Sequence, residues 1–172
     1  STLPETLRLI VSTAFTGLLT IYIAGVILPP CFPGKARIQN LVAHGLAAAA
    51  GFVGMVLGLA GLLAPEPWTG SVESSIPFLS FAIRLDPLAS FFVLTISVVG
   101  LAASIFALGY LAELCGRASI AAMGSLLNGF LLAMTLVVMA DNGFFFLIVW
   151  ALMSLLSYFL VVTEHEKPGV RE

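Results

Sequence analysis

From Phe144 to Thr163 the chain runs for 20 residues without a charged side chain. At 1.5 Å per residue such a helix crosses the ~30 Å hydrocarbon of a bilayer, whereas a soluble domain has no use for one. Four more stretches of this kind precede it, Leu9 to Leu28, Leu41 to Ala64, Leu88 to Ala112 and Ala118 to Ala140. With 60% hydrophobic and 9% charged residues the chain could not solvate a globular surface, which takes roughly 25% charged residues. The fold class this implies is all-α, a polytopic transmembrane helical bundle. Its five spans are expected at about 9–28, 41–64, 87–112, 118–140 and 143–163, in one membrane domain covering 1–172.

The breaks between the runs are sharp. Pro29-Pro30 and Gly34 stop the first, Pro65-Glu66-Pro67 stops the second, and Asp86-Pro87 supplies an N-cap and a first-turn proline for the third. Residues 65–86 form the long polar connection, predicted as an outer loop. Its end, Phe78 to Pro87, alternates apolar and polar residues and predicts a short hairpin strand at the membrane surface. Asp141-Asn142-Gly143 is so short that spans four and five must be antiparallel neighbours. The second run gathers small residues, Ala47 to Gly51, Gly54, Gly58 and Gly61, which predicts close helix packing. Glu5 before Arg8 and the length of the first run argue against a cleaved signal peptide, so that run is expected to stay in the mature fold.

Positive residues set the orientation. With the N-terminus outside, the inner segments hold Lys35, Arg37, Arg117, Lys167 and Arg171, and the outer ones hold Arg8 and Arg84. Lysine and arginine in short loops favour the cytoplasm, so the N-terminus is expected outside and the C-terminus inside, in the cell (inner) membrane. Lipid is therefore the first partner. A net charge of −2 offers no basic surface, and no nucleic-acid partner is expected.

Chemistry-bearing residues are sparse. Cys31 and Cys115 stand alone, without metal-ligand spacing, and no nucleotide loop, carboxylate pair or nucleophile–base set occurs. No metal, cofactor or independent enzyme activity is expected. An ionisable side chain inside a span is a functional candidate by default, and His44 is the one that intrudes. Its plainer reading is a hydrogen-bonded interface residue. Asn128 and Thr135 in span four, and Ser154, Ser157 and Tyr158 in span five, could line a water path, although their commoner role is interhelical hydrogen bonding. Ser154, Ser157 and Tyr158 share a face with Trp150 and Ala151 that is predicted to point into a bundle. Phe144 to Phe146 are predicted to face lipid or neighbouring subunits, and Glu113 and Asp141 to be solvated or capping.

The stretch Leu85-Asp86-Pro87-Leu88-Ala89-Ser90-Phe91-Phe92, then Gly100-Leu101 and Ala107-Leu108-Gly109-Tyr110-Leu111, is joined by Leu136-Val137-Val138-Met139-Ala140-Asp141-Asn142 and by Trp150 to Glu166. In order and spacing these resemble the antiporter-like proton-channel subunits of complex I, Mrp-type antiporters and energy-converting [NiFe] hydrogenases, especially the hydrogenase-4 and formate hydrogenlyase branch. The likeness covers roughly residues 80–167. It implies a membrane-arm subunit whose partners are other membrane subunits of a redox complex, and a family in which a buried glutamate on the fifth helix works with a lysine on the seventh. Here Ala151 stands in the glutamate's place. The five spans are expected to hold neither the broken helix nor the lysine, so this stretch alone is not expected to move protons. Two alternatives stay open: a transporter subunit completed by a partner chain, and a structural or assembly protein without ion transport.

Overall fold

The computed structural model describes residues 3–73, 80–113 and 120–165. Its helices are α1 (Leu3–Ile27), α2 (Ala36–Leu63), α3 (Pro87–Glu113), α4 (Ile120–Met139) and α5 (Gly143–His165), with a single-turn 3-10 helix at Pro29–Cys31 and strands β1 (Trp68–Glu73) and β2 (Ser80–Leu85). Among the described residues, 5 helices are long and apolar enough to cross a membrane. Each expected span lies within one of them or overruns it by one or two residues. α2 begins five residues before the uncharged run, at Ala36, because Arg37 and Gln39 extend the helix into the interface.

Local chemistry explains the ends. Gly34 takes φ 76 in the turn before α2, a left-handed conformation that glycine adopts without a steric cost. Asp86 caps α3 as its position predicts, its Oδ1 accepting the Ala89 N–H at 2.8 Å with Pro87 in the first turn. At α5 the cap is Asn142 rather than Asp141: its Oδ1 accepts from Phe144 N at 2.8 Å and Phe145 N at 3.2 Å, and Asp141 lies exposed beside it.

The described residues of the 65–86 connection form paired strands rather than a loop. β1 and β2 pair antiparallel from Trp68–Leu85 to Glu73–Ser80. The strand predicted near Phe81 therefore has a partner that the Trp68–Glu73 sequence did not announce. The other edge of β2 is covered too, since Ile83 bridges Ala140 and Asp141 N donates to Ala82 O at 2.9 Å. A strand with both edges occupied has no free ladder to pair with another chain. Trp68 packs on Phe15 with ring centroids 5.4 Å apart, and Phe81 meets Phe145 edge-on at 5.5 Å, so the hairpin ties α1 and α5 together across one end of the bundle.

α2 is the hub, packed against α1, α3 and α4, while α5 leans on α4. The α2–α3 seam is the most extensive helix contact. Gly51, Gly54, Gly58 and Gly61 of α2 lie against Ser97, Leu94 and Ser90 of α3 so closely that a β-carbon at any of them would meet that helix. Facing them, Ser90, Ser97 and Ser104 recur every seven residues, all buried, each hydroxyl bonded to the carbonyl four residues back at 2.6–2.7 Å. Those bonds leave none of the three hydroxyls unsatisfied, which hydrocarbon would penalise by several kcal/mol. The apolar core runs through Leu18, Ala50, Leu57, Leu85, Val93 and Met139.

Candidate functional site

Two groups of polar residues were expected from the sequence, and the structure separates them. The first lies where α1, α2 and α4 meet. Asn128 is fully buried, and its Nδ2 donates to Ala43 O of α2 and to Gly124 O of its own helix, both at 2.9 Å. That approach needs small neighbours. A β-carbon at Gly25 would collide with the Asn128 amide, and one at Gly124 with Ala43. His44 follows Ala43 and is 2% exposed. Among the described residues neither of its ring nitrogens has a hydrogen-bond partner, where a bonded interface histidine was the plainer expectation.

Sequence reasoning passed over the rest of this cluster. Asn40, one turn before His44, is 4% exposed and donates through Nδ2 to Leu108 O of α3 at 3.1 Å. Its Oδ1, the Asn128 Oδ1, the Tyr22 hydroxyl and the Ser125 hydroxyl are all buried and lack partners. The signal for Asn40 was its four-residue spacing from His44, which places both on one face of α2. Thr135 is spent locally, its hydroxyl on Leu131 O at 2.9 Å. Among the described residues no group of three metal-binding side chains occurs.

The second group, on α5, faces the other way from what was expected. Trp150 is 50% and Tyr158 is 61% exposed, Ala151 and Ser154 are exposed, and Ser157 is half-buried. The inward side is Phe145 and Val149, with Leu156 seated against Gly129 of α4. Phe144 and Phe146 do face outward, but Phe145 is buried under the hairpin. The reason is steric: Gly129 gives α4 a notch for a leucine, and Phe81 of β2 offers an edge for the Phe145 ring. The Ser154 hydroxyl is bonded back to Trp150 O at 3.0 Å. Trp150, Ala151, Ser154 and Tyr158 thus form an outer face that the described residues do not cover. Cys31 is a free, exposed thiol beside the 3-10 turn. Cys115, Arg117, Glu166, Lys167 and Arg171 lie outside the described residues.

Residues 75–119 match the family described as NADH-Ubiquinone oxidoreductase (complex I), chain 5 N-terminus. Hydrogenase-4 component B of Escherichia coli is 36% identical over 93 residues, 54% of this chain and 14% of that protein. NADH-quinone oxidoreductase subunit L of Mycobacterium tuberculosis is 37% identical over 89 residues, 52% of this chain and 14% of the relative. An uncharacterized protein of the same organism is 33% identical over 122 residues, 70% of this chain and 18% of its own length. The chain thus spans less than a fifth of the curated relatives it matches. Five helices long and apolar enough to span a membrane, together with these matches, make it a multi-pass membrane protein whose relatives support the antiporter-like membrane-subunit family of complex I and hydrogenase-4.

Proposed function

We propose that the chain serves as an antiporter-like membrane-arm subunit in an energy-converting hydrogenase or complex I-like redox complex. It contributes scaffold and part of a proton pathway, with lipid and other membrane subunits as its partners, in the inner membrane. The observation that carries this reading is the outer face of α5. That helix lies within the stretch the resemblance covers, and it turns Trp150, Ala151, Ser154 and Tyr158 away from its own bundle. Small and amphipathic side chains are what helix interfaces in lipid use.

The hairpin end of the bundle, with Arg8 paired to Glu66 at 2.9 Å, is the outer side in this reading, and the end with Lys35 and Arg37 is cytoplasmic. The pathway part rests on His44 and Asn128, since the Ser154 hydroxyl is bonded within its own helix and Ala151 offers no titratable group. Gentle detergent purification through this chain, followed by mass spectrometry of the co-migrating proteins, is the test. A longer antiporter-like chain together with a hydrogenase or quinone-linked arm is the expected result. Recovery of the chain alone would refute the subunit reading and leave the stand-alone structural protein. Proton flux after reconstitution of the chain by itself would instead favour a self-sufficient transporter.

A further inference from the structure

His44 is the ionisable side chain buried deepest among the described span residues apart from the tyrosines, and its surroundings are arranged like a binding site. Among the described residues the buried side-chain atoms without partners are Tyr22 Oη, Asn40 Oδ1, both nitrogens of His44, Ser125 Oγ and Asn128 Oδ1. The elements that carry them converge, since Asn128 brings α4 onto the stretch of α2 that holds Ala43 and His44, and Gly25 brings α1 onto Asn128. Asn40 and His44 are one turn apart on α2. Asn128 bonds the residue before His44, Ser125 lies between Asn128 and Gly124, and Tyr22 is one turn from Gly25, which rests on the Asn128 amide.

The chemistry of the set is complementary. The imidazole N–H and the tyrosine and serine hydroxyls are donors, while the second imidazole nitrogen and the two amide oxygens are acceptors. The amide oxygens are also oriented in advance, because each Asn has its Nδ2 fixed on backbone carbonyls, Leu108 O for Asn40, Ala43 O and Gly124 O for Asn128. Left dry, each such group in hydrocarbon costs several kcal/mol, and buried polar groups are otherwise satisfied by protein or by ordered water.

Depth favours water. α2 has 28 residues, or ~42 Å, and overhangs a ~30 Å hydrocarbon layer by ~6 Å at each end. Asn40 therefore sits at the hydrocarbon boundary on the side of the 3-10 turn, and His44 one turn, ~6 Å, inside it. Two close glycine contacts flank the cluster, Gly25 on the Asn128 amide and Gly124 on Ala43.

We infer that Asn40, His44, Ser125, Asn128 and Tyr22 form a water-binding inlet entered from the 3-10 side of the bundle, with His44 as its proton-exchanging group. The ligand is water, and the relay partners are neutral. On the elements packed against α2, the described titratable groups are Tyr22, Glu5 and Arg8 on α1, the last two exposed towards the hairpin end, exposed Cys31 on the 3-10 turn and exposed Tyr110 on α3. α4 brings none, and Lys35 and Arg37 stand exposed at the mouth. The inlet deepens the pathway reading given above, but its hydration can be measured whether or not the complex pumps.

The test compares two conservative replacements in native membranes that retain the whole assembly, with Cys31 and Cys115 changed to serine. Ser125→Cys places a thiol where the hydroxyl has no partner, and Ser97→Cys places one where the hydroxyl is buried and bonded to Val93 O. A charged, membrane-impermeant methanethiosulfonate is applied to sealed vesicles of each orientation. Labelling at position 125 at least ~10-fold faster than at 97, from the 3-10 side, is expected, because a thiol must be hydrated to ionise and react. Equal rates at 125 and 97, or labelling of 125 from the hairpin side, would overturn the inlet. Should Ser125→Cys fail to accumulate, His44→Cys against Ala50→Cys gives the same comparison on α2, both native residues being buried.

Discussion

Replacing Gly54 with alanine probes the seam that holds α2 to α3. A β-carbon there would overlap the Ser97 hydroxyl, lie 3.1 Å from Ser97 Cβ and 3.0 Å from Leu18 Cδ1. The leucine methyl can swing away and the hydroxyl can turn, but Ser97 Cβ is fixed to the α3 backbone. The two helices must therefore part by several tenths of an ångström to regain ordinary contact. Parting them loosens every close approach along the seam, and in lipid there is no hydrophobic term to make up for lost packing. Overpacking of this kind costs about 1–3 kcal/mol, against which alanine recovers up to about 1 kcal/mol of helix propensity. A net loss of about 1–2 kcal/mol follows from those two terms.

Gly45 is the control, on the same helix with nothing within 4 Å of its added β-carbon, so Gly45→Ala is expected to be neutral or slightly stabilising. Reversible unfolding in mixed micelles, followed by helicity, measures both. Adding Ser97→Gly to Gly54→Ala removes the opposing β-carbon and should recover part of the loss as a coupling between the two sites. If Gly54→Ala unfolds no more readily than Gly45→Ala, the seam is not held by close approach and the argument fails.

Asn142→Ala removes the cap from the first turn of α5 and should cost about 0.5–2 kcal/mol, seen as faster amide exchange at Phe144 and Phe145; unchanged exchange there would mean that the pairing at Ala140 and Asp141 carries the turn. Asn128→Ala gives up the bonds to Ala43 O and Gly124 O and should lower stability in mixed micelles by about 1 kcal/mol, with no change counting against a role in joining α2 to α4. Ala151→Glu sets a carboxyl near the middle of α5 on its outer face, where no described cation of this chain lies. In the chain alone it should lower membrane stability by about 2–3 kcal/mol and leave proton uptake unchanged, and uptake that rises would contradict the scaffold reading.

The span count was legible because charge-free length is a one-dimensional property, and so were the α3 cap at Asp86 and the packing role of the α2 glycines. The α3 side of that seam was equally readable in the seven-residue recurrence of Ser90, Ser97 and Ser104, but serine is uninformative until the helix it faces is known. β1 was hidden for a different reason. Trp68-Thr-Gly-Ser-Val-Glu alternates too weakly to stand alone, and its pairing depends on β2 being held by Ala140 and Asp141 from the far side of the chain. Of the candidate site, His44 and Asn128 could be named from their chemistry, whereas Tyr22 and Ser125 join them only through a glycine contact and a shared helix face, which no linear pattern records.

The reversal of α5 has a more general cause. In water the inward face of a helix is apolar and the outward face polar, so hydrophobicity tells them apart. In a bilayer the outside is as apolar as the inside, and Phe145 and Val149 on the inner face of α5 are no more hydrophobic than Leu147, Ile148 and Leu155 on the outer one. Only size and polarity then discriminate, and on α5 these mark the outer side, with Ala151 and Ser154, while the bundle side is filled by large residues entering a notch at Gly129. The polar, small-residue face of α5 is expected from the sequence to point into a bundle, and among the described residues it points away from this one. The same criterion gives opposite answers for α2 and α5 because α2 meets its complementary serines at Ser90 and Ser97, and α5 finds no such stripe on α4. The surface left over on α5 is therefore the one whose partner the purification experiment is designed to identify.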